Sequence, residues 1–230
     1  MNLIDSLIGG GWLKTPRIIE AFRRIKRVDF LPKDLEDLAE LNEALPIGYG
    51  QTISQPLVVA FMLEQLEPKE GDKILDIGSG SGWTSALLKE IVGGKSLSAG
   101  RQGKVIAIDI IPELVEFGKK NVAKYNFLAP YRTEGSGAGI EKGLPAGRQG
   151  IVEFICTDGS KGYKKEAPYD KILASASAQS LPQAWKEQLK IGGRIVTPID
   201  TSIWVFIKKN EEEFEEYEYP GFVFVPLVTK

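Results

Sequence analysis

Histidine is absent from the 230 residues, and cysteine occurs once, at Cys156. Without imidazole the chain can build no Ser-His-Asp triad, no Cys-His pair and no His-ligated metal site, so no metal is expected. One cysteine excludes an internal disulfide and suits a reducing compartment; set in the apolar run Ile151-Val-Glu-Phe-Ile-Cys156, it reads as a buried, inert thiol. An excess of charge of either sign is also missing: 29 basic and 31 acidic residues leave a net −2, with no global attraction for nucleic acid. No apolar run approaches the ~20 residues that span a bilayer. The start, Met1-Asn-Leu-Ile-Asp-Ser, lacks a basic segment followed by an apolar core, so the chain reads as cytoplasmic, with no membrane partner. A chain of this length fits one α/β domain and can bury roughly 70% of its unfolded surface.

What is present gathers around Asp76-Ile-Gly78-Ser-Gly80-Ser-Gly82-Trp83, placed after the apolar run Lys73-Ile-Leu-Asp76 and before the helix-like stretch Trp83 to Val92. A strand that turns through alternating glycines into a helix brings bare backbone N–H groups up to a ligand, because no Cβ intervenes. A dinucleotide-binding G-x-G-x-x-G would put its third glycine at position 83, where Trp83 stands; here it is Gly82, which disfavours a nicotinamide-dependent oxidoreductase. An acid before G-x-G-x-G resembles motif I of the class I S-adenosylmethionine-dependent methyltransferases. On that resemblance Asp76, Gly78, Ser79, Gly80, Ser81 and Gly82 are the expected cofactor contacts. The plainer alternative is an ordinary strand-to-helix turn.

In chain order, Thr15 and Pro16 open a helix with an apolar stripe through Ile18, Ile19, Phe22 and Ile25, leaving Arg23, Arg24, Lys26 and Arg27 for a solvated face. The stretch Gly48-Tyr-Gly50-Gln51-Thr52-Ile53-Ser54-Gln55-Pro56 reads as a flexible loop before a helix. Ser54 either caps that helix or, with Thr52, forms a carboxylate site at its N-terminus. Lys104 to Asp109 is a second buried strand ending in an acid, suited to a ribose; Asp109 lies 27 residues after Gly82, against the usual spacing of roughly 20. The excess has a visible source, since Ala99-Gly-Arg-Gln-Gly103 recurs as Ala146-Gly-Arg-Gln-Gly150. Both copies read as insertions that surface loops tolerate, within segments 93–103 and 129–150, the second expected to be mobile. Strands at 151–156 and 169–174, a helix near 182–190 capped by Ile191-Gly-Gly193, a strand at 194–199, an edge strand at 202–208, an acidic hairpin at 211–216 and a last apolar strand at 221–228 complete the chain. Alternating strands and helices predict a doubly wound α/β sheet with an antiparallel C-terminal edge.

With these pieces assembled, the chain resembles the protein-L-isoaspartate O-methyltransferases over nearly its full length outside the insertions. The resemblance rests on Ala21-Phe22 through Arg27, Phe30-Leu-Pro32, Leu45-Pro-Ile-Gly, Gly50-Gln-Thr-Ile-Ser-Gln-Pro56, Leu75 to Gly82, Tyr169-Asp170, Leu189-Lys-Ile-Gly-Gly-Arg194 and Phe224-Val-Pro-Leu227. The Gly50 to Pro56 block is the specific one. It implies a Rossmann-like methyltransferase core at 67–230 behind an N-terminal helical extension and active-site loop at 1–66. It further implies S-adenosylmethionine as cofactor and isoaspartyl-containing proteins and peptides as partners. On the same resemblance Ser54 is the active-site residue, Thr52, Ile53, Val225, Pro226 and Leu227 meet the peptide, Asp109 holds the ribose with Ile110 a further cofactor contact, and Asp158-Gly159 faces the adenine. The chain departs from the pattern at Tyr49, often histidine, at 174–180, and in the two insertions. A methyltransferase of a small metabolite would share the glycine loop without the Gly50 to Pro56 block. An inactive cofactor-binding interaction module remains the other alternative.

Overall fold

The computed structural model describes residues 2–93, 102–127 and 151–229. The repeated words at 99–103 and 146–150, except Gln102 and Gly103, and the expected mobile segment 129–150 lie outside these residues.

Helices α1 (Leu3–Gly9) and α2 (Pro16–Arg24) and two 3-10 turns (Arg27–Phe30, Lys33–Leu38) lead into a hairpin of β1 (Leu45–Gly48) and β2 (Gln51–Ile53), then α3 (Pro56–Leu66). There follow β3 (Lys73–Ile77), α4 (Trp83–Val92), β4 (Lys104–Asp109), α5 (Pro112–Ala123), β5 (Ile151–Cys156), β6 (Tyr169–Ala174), α6 (Gln183–Gln188), β7 (Leu189–Ile199), β8 (Ser202–Lys208) and β9 (Phe214–Pro220). The last seven strands form one sheet in the order β5-β4-β3-β6-β7-β8-β9. Strands β3 to β7 run parallel, and β8 and β9 are antiparallel to their neighbours. This is the doubly wound sheet with an antiparallel edge that the alternation of elements predicts.

The parallel strands are apolar on both faces because helices cover both. Ile74, Leu75, Ile77, Val105, Ile106, Ala107 and Ile108 are all fully buried, each contributing about 1.5–3 kcal/mol for its largest members. The chain winds outward from β3 through β4 to β5, then returns to β6 on the other side of β3. That reversal opens a crevice at the carboxyl ends of β3 and its neighbours, the place where ligands enter such sheets. Among the described residues no helix is long and apolar enough to cross a membrane.

Several local expectations change. The flexible loop at 48–56 is largely a hairpin whose turn residues Tyr49 and Gly50 both have positive φ, 55° and 69°, the geometry that tight two-residue turns require. Strand β8 is not the edge, because β9 pairs along its whole length. Residues 221–228 do not form a strand; they run across the carboxyl end of the sheet, joined to Ser177 by Ser177 N–H to Val225 O and Leu227 N–H to Ser177 O, both 2.8 Å. Ile191-Gly-Gly193 does not cap α6: it lies inside β7 where the register jumps from Tyr169–Leu189 to Lys171–Arg194, a bulge that glycine permits. Cys156 is exposed at the end of β5 rather than buried, since a strand end beyond the helix layer has nothing to cover it. Arg23 and Arg24 do face solvent, but Arg27 is only 6% exposed, because α2 ends at Arg24 and the following turn rotates it inward.

The turn from β3 to α4 is tight. Gly82 has φ 83°, and a Cβ there would stand 3.0 Å from the Gly118 carbonyl oxygen and from Val122. Gly82→Ala should therefore lower stability by roughly 1–3 kcal/mol through the left-handed strain and the displaced helix contact, read by urea unfolding; an unchanged midpoint would contradict it.

Candidate active site

A cavity of about 350 Å³ occupies the crevice, within the size range of small-molecule sites. Its walls include the glycine loop, the Thr52 to Gln55 stretch, the end of β4 with the start of α5, and the strap at 223–228. Of the residues singled out from the sequence, Thr52, Ile53, Ser54, Gly78, Ser79, Gly80, Ser81, Asp109, Ile110, Gly159, Val225, Pro226 and Leu227 line it together. Asp76, Gly82 and Asp158 do not line it.

Ser54 lies between the end of β2 and the start of α3. It does not cap that helix. The first turn is instead capped from outside by Asn42, whose Oδ1 accepts from Leu57 N–H at 2.9 Å and whose carbonyl accepts from Gln55 Nε2 at 2.8 Å. With the capping role filled, the Ser54 side chain is left to the cavity it lines. The Ser54 carbonyl accepts from Arg27 Nη2 at 3.3 Å.

The glycine loop is tied down from behind. Gly78 and Ser79 N–H groups donate to Ile108 O at 2.9 and 3.0 Å, and Asn121 Nδ2 donates to Ser81 O at 3.0 Å. Asp109 accepts from Gly80 N–H at 2.9 Å through one oxygen and from Ile111 N–H at 3.0 Å through the other. Its carboxyl pKa is raised by burial, against the stabilising backbone N–H groups. Each oxygen keeps a lone pair for a ligand hydroxyl. Gly159 packs so closely that a Cβ would meet Ile77 at 2.5 Å, while Asp158 shapes its turn by accepting from Ser160 N–H at 3.0 Å.

Asp76 is fully buried, and Ser85 Oγ donates to its Oδ2 at 2.5 Å. Burial pushes this carboxyl up to about 7, opposed by the Ser85 hydrogen bond and reinforced by the charge of Asp109. Asp76 Oδ1, Ser79 Oγ and Trp83 Nε1 are buried with no hydrogen-bond partner among the described residues. Orphaned buried polar atoms are costly, and two of these three residues line the cavity. Polar orphans beside bare glycine backbone, an acid at the end of β4 and an apolar wall of Ile77, Ile108, Ile111 and Leu114 fit a ligand with a charged amino-acid end, a ribose and a flat base. Among the lining residues that sequence reasoning missed are Gln55, Val58, Ile111, Leu114 and Trp83; these sit at the caps or in the first turns of helices that follow predicted site residues, which is the signal that could have found them.

Fold and site together define a methyltransferase of the Rossmann-like class. The comparisons with known proteins narrow it: the profile of the family described as protein-L-isoaspartate(D-aspartate) O-methyltransferase (PCMT) matches residues 1–230, and the chain belongs to that family. It is 36% identical over 231 residues to a protein-L-isoaspartate O-methyltransferase of Methanopyrus kandleri, covering 99% of this chain and 90% of that one. It is 40% identical over 214 residues to protein-L-isoaspartate O-methyltransferase 2 of Archaeoglobus fulgidus, covering 92% and 84%. Among solved structures, a Plasmodium falciparum chain in complex with S-adenosyl-L-homocysteine shares the fold with a TM-score of 0.79, covering 100% of both chains at 19% identity. A protein-L-isoaspartate O-methyltransferase structure aligns with a TM-score of 0.77 at 26% identity, covering 97% of this chain and 64% of that one.

The raised pKa of Asp76 has a stability consequence. Its folded value, about 7, lies above the ordinary 3.8, so the folded chain binds this proton more tightly and stability falls as pH rises from about 4 to about 7. Asp76→Asn should remove that part of the slope. In urea melts of ligand-free protein, the variant's stability relative to wild type should be higher at pH 8 than at pH 4 by on the order of 4 kcal/mol at most; an equal difference at both would contradict the assignment.

Proposed function

We propose that this chain transfers a methyl group from S-adenosylmethionine to the free α-carboxylate of L-isoaspartyl residues in damaged proteins and peptides. The observation that carries the reading is one continuous cavity joining the glycine loop to Ser54 and to the strap at 223–228. S-adenosylmethionine supplies a methyl already activated by its sulfonium leaving group. An α-carboxylate, with an ordinary pKa near ~3.5, is ionised at neutral pH. No residue has to remove a proton, in keeping with a chain that has no histidine.

The chain's contribution is alignment, which at its best supplies on the order of 7–11 kcal/mol of the barrier. Gly78 and Gly80, lacking side chains, make room beside Ser79 and Ser81 for the amino-acid end, Asp109 takes the ribose hydroxyls with Ile110 next to it, and Gly159 admits the base in the turn that Asp158 holds. Ser54, with Thr52 and Ile53, orients the acceptor carboxylate. Val225, Pro226 and Leu227 lie along the peptide. Asp76 and Gly82 act behind the surface, shaping the loop. The methyl ester closes unaided to a succinimide as a backbone amide nitrogen attacks the ester carbonyl and displaces methanol, and hydrolysis of that ring restores some normal aspartyl linkage. The balanced charge and the unpaired Cys156 support a cytoplasmic setting without nucleic-acid or membrane partners.

Labelled methyl should pass to an isoaspartyl peptide and not to its aspartyl twin; transfer to both or to neither would overturn the reading. Ser54→Ala should lower kcat by roughly tenfold or more, the scale of one lost transition-state contact, with S-adenosylhomocysteine affinity by calorimetry nearly unchanged. Asp109→Ala should instead weaken that affinity roughly tenfold or more, since it removes a charge-assisted acceptor.

A further inference from the structure

A site for carboxylates would be expected to carry a cation, yet among the described residues no lysine or arginine lines the cavity, and Asp109 is its one charged side chain. One cation stands a layer back, behind Ser54 and Trp83. Arg27, 6% exposed, donates through Nη1 to Ala39 O at 3.2 Å and Leu41 O at 2.9 Å, and through Nη2 to Glu43 O at 2.6 Å and Ser54 O at 3.3 Å. Its guanidinium carbon also lies 5.5 Å from the centre of the Trp83 ring. Ser54 and Trp83 both line the cavity, so the cation sits directly behind two of its walls.

All of these acceptors are backbone carbonyls, which engage both Nη atoms without cancelling the charge, while Nε is buried with no hydrogen-bond partner among the described residues. Exposed Glu40 opposes that charge at longer range. Burial lowers the Arg27 pKa to about 10, which still leaves it cationic at neutral pH. A buried charge is screened by salt far less than a surface one, so its field reaches the cavity. The fork also fixes backbone: with its C=O held by Arg27, the trans Ser54–Gln55 peptide turns the Gln55 N–H the opposite way. A neutral residue could match some of these hydrogen bonds but would supply no field.

We propose that Arg27 is the positioning residue of the acceptor half of the site: its guanidinium fixes the Ser54–Gln55 peptide and supplies, from behind the wall, the positive field that favours an ionised carboxylate as substrate. This rests on the reading that Ser54 faces the acceptor carboxylate.

The test compares an isoaspartyl peptide with its α-carboxamide twin, both measured as competitors of a labelled isoaspartyl peptide at saturating S-adenosylmethionine. Wild type should prefer the carboxylate; if it does not, the Ser54 reading itself fails, separately from any role of Arg27. In Arg27→Gln, which keeps two donors and loses the charge, the carboxylate-over-amide ratio should fall roughly tenfold, the scale of losing one nearby unit charge at an intermediate dielectric. In Arg27→Lys the ratio should stay within about threefold of wild type while kcat falls, because the charge remains and the fork is lost. Equal weakening of both peptides in Arg27→Gln, with the ratio unchanged, would reduce Arg27 to a structural role. Should Arg27→Gln fail to fold, Glu40→Lys leaves the fork intact and should raise the ratio by about twofold at low salt; an unchanged ratio there overturns the proposal.

Discussion

The cavity depends on how closely backbone can approach backbone around the β3–α4 turn. Gly82 lies against Gly118, so the start of α4 is drawn onto α5. Gly118 in turn admits the Gly80 carbonyl at 3.1 Å from where its own Cβ would be, with Phe154 at 2.7 Å. A side chain at either glycine would lift the loop or part the helices. Because the helices stay close, Gly78 and Gly80 lie at the carboxyl end of β3 with their backbone facing the crevice, and Asp109 can accept from Gly80 across the gap to β4.

The other half of the site is assembled at a distance. Ser54 owes its place to a hairpin, to Asn42 serving as the outside cap of α3, and to a buried arginine 27 residues earlier in the chain. The strap at 223–228 is held just as indirectly. Its bonds to Ser177 fasten it over the end of β6, and Phe222 stacks on Phe61 of α3 at 5.3 Å. Helix α3 therefore joins the loop that presents Ser54 to the segment that closes the opposite wall. Its sequence has almost no polar face, and it buries Val59, Ala60, Met62, Leu63 and Leu66.

Much of this was readable from local pattern. The parallel strands announced themselves as continuous apolar runs, and the glycine loop did so by spacing. Where the reading failed, a nonlocal contact decided the outcome. Arg27 looked like part of a basic helix face, but the helix stopped at Arg24 and the side chain found carbonyls at 39–43 and at Ser54. Cys156 looked buried because its run is apolar, but strand ends project past the layers that cover strand middles. Residues 221–228 have a strand's composition, yet β9 had already taken the available edge of β8, which left them free to cross the sheet and line the cavity.

The sequence by itself determined the doubly wound sheet, the glycine loop after β3, the acid at the end of β4 and the segment that carries Ser54, because each follows from residue type and short spacing. Only the tertiary structure decided that Asp76, Gly82 and Asp158 stand behind the cavity and not in its wall, that Ser54 is released from capping, and that a cation lies behind it. Those outcomes turn on packing between segments far apart in the chain, and local periodicity carries no information about which distant carbonyl, cap or glycine a side chain will meet.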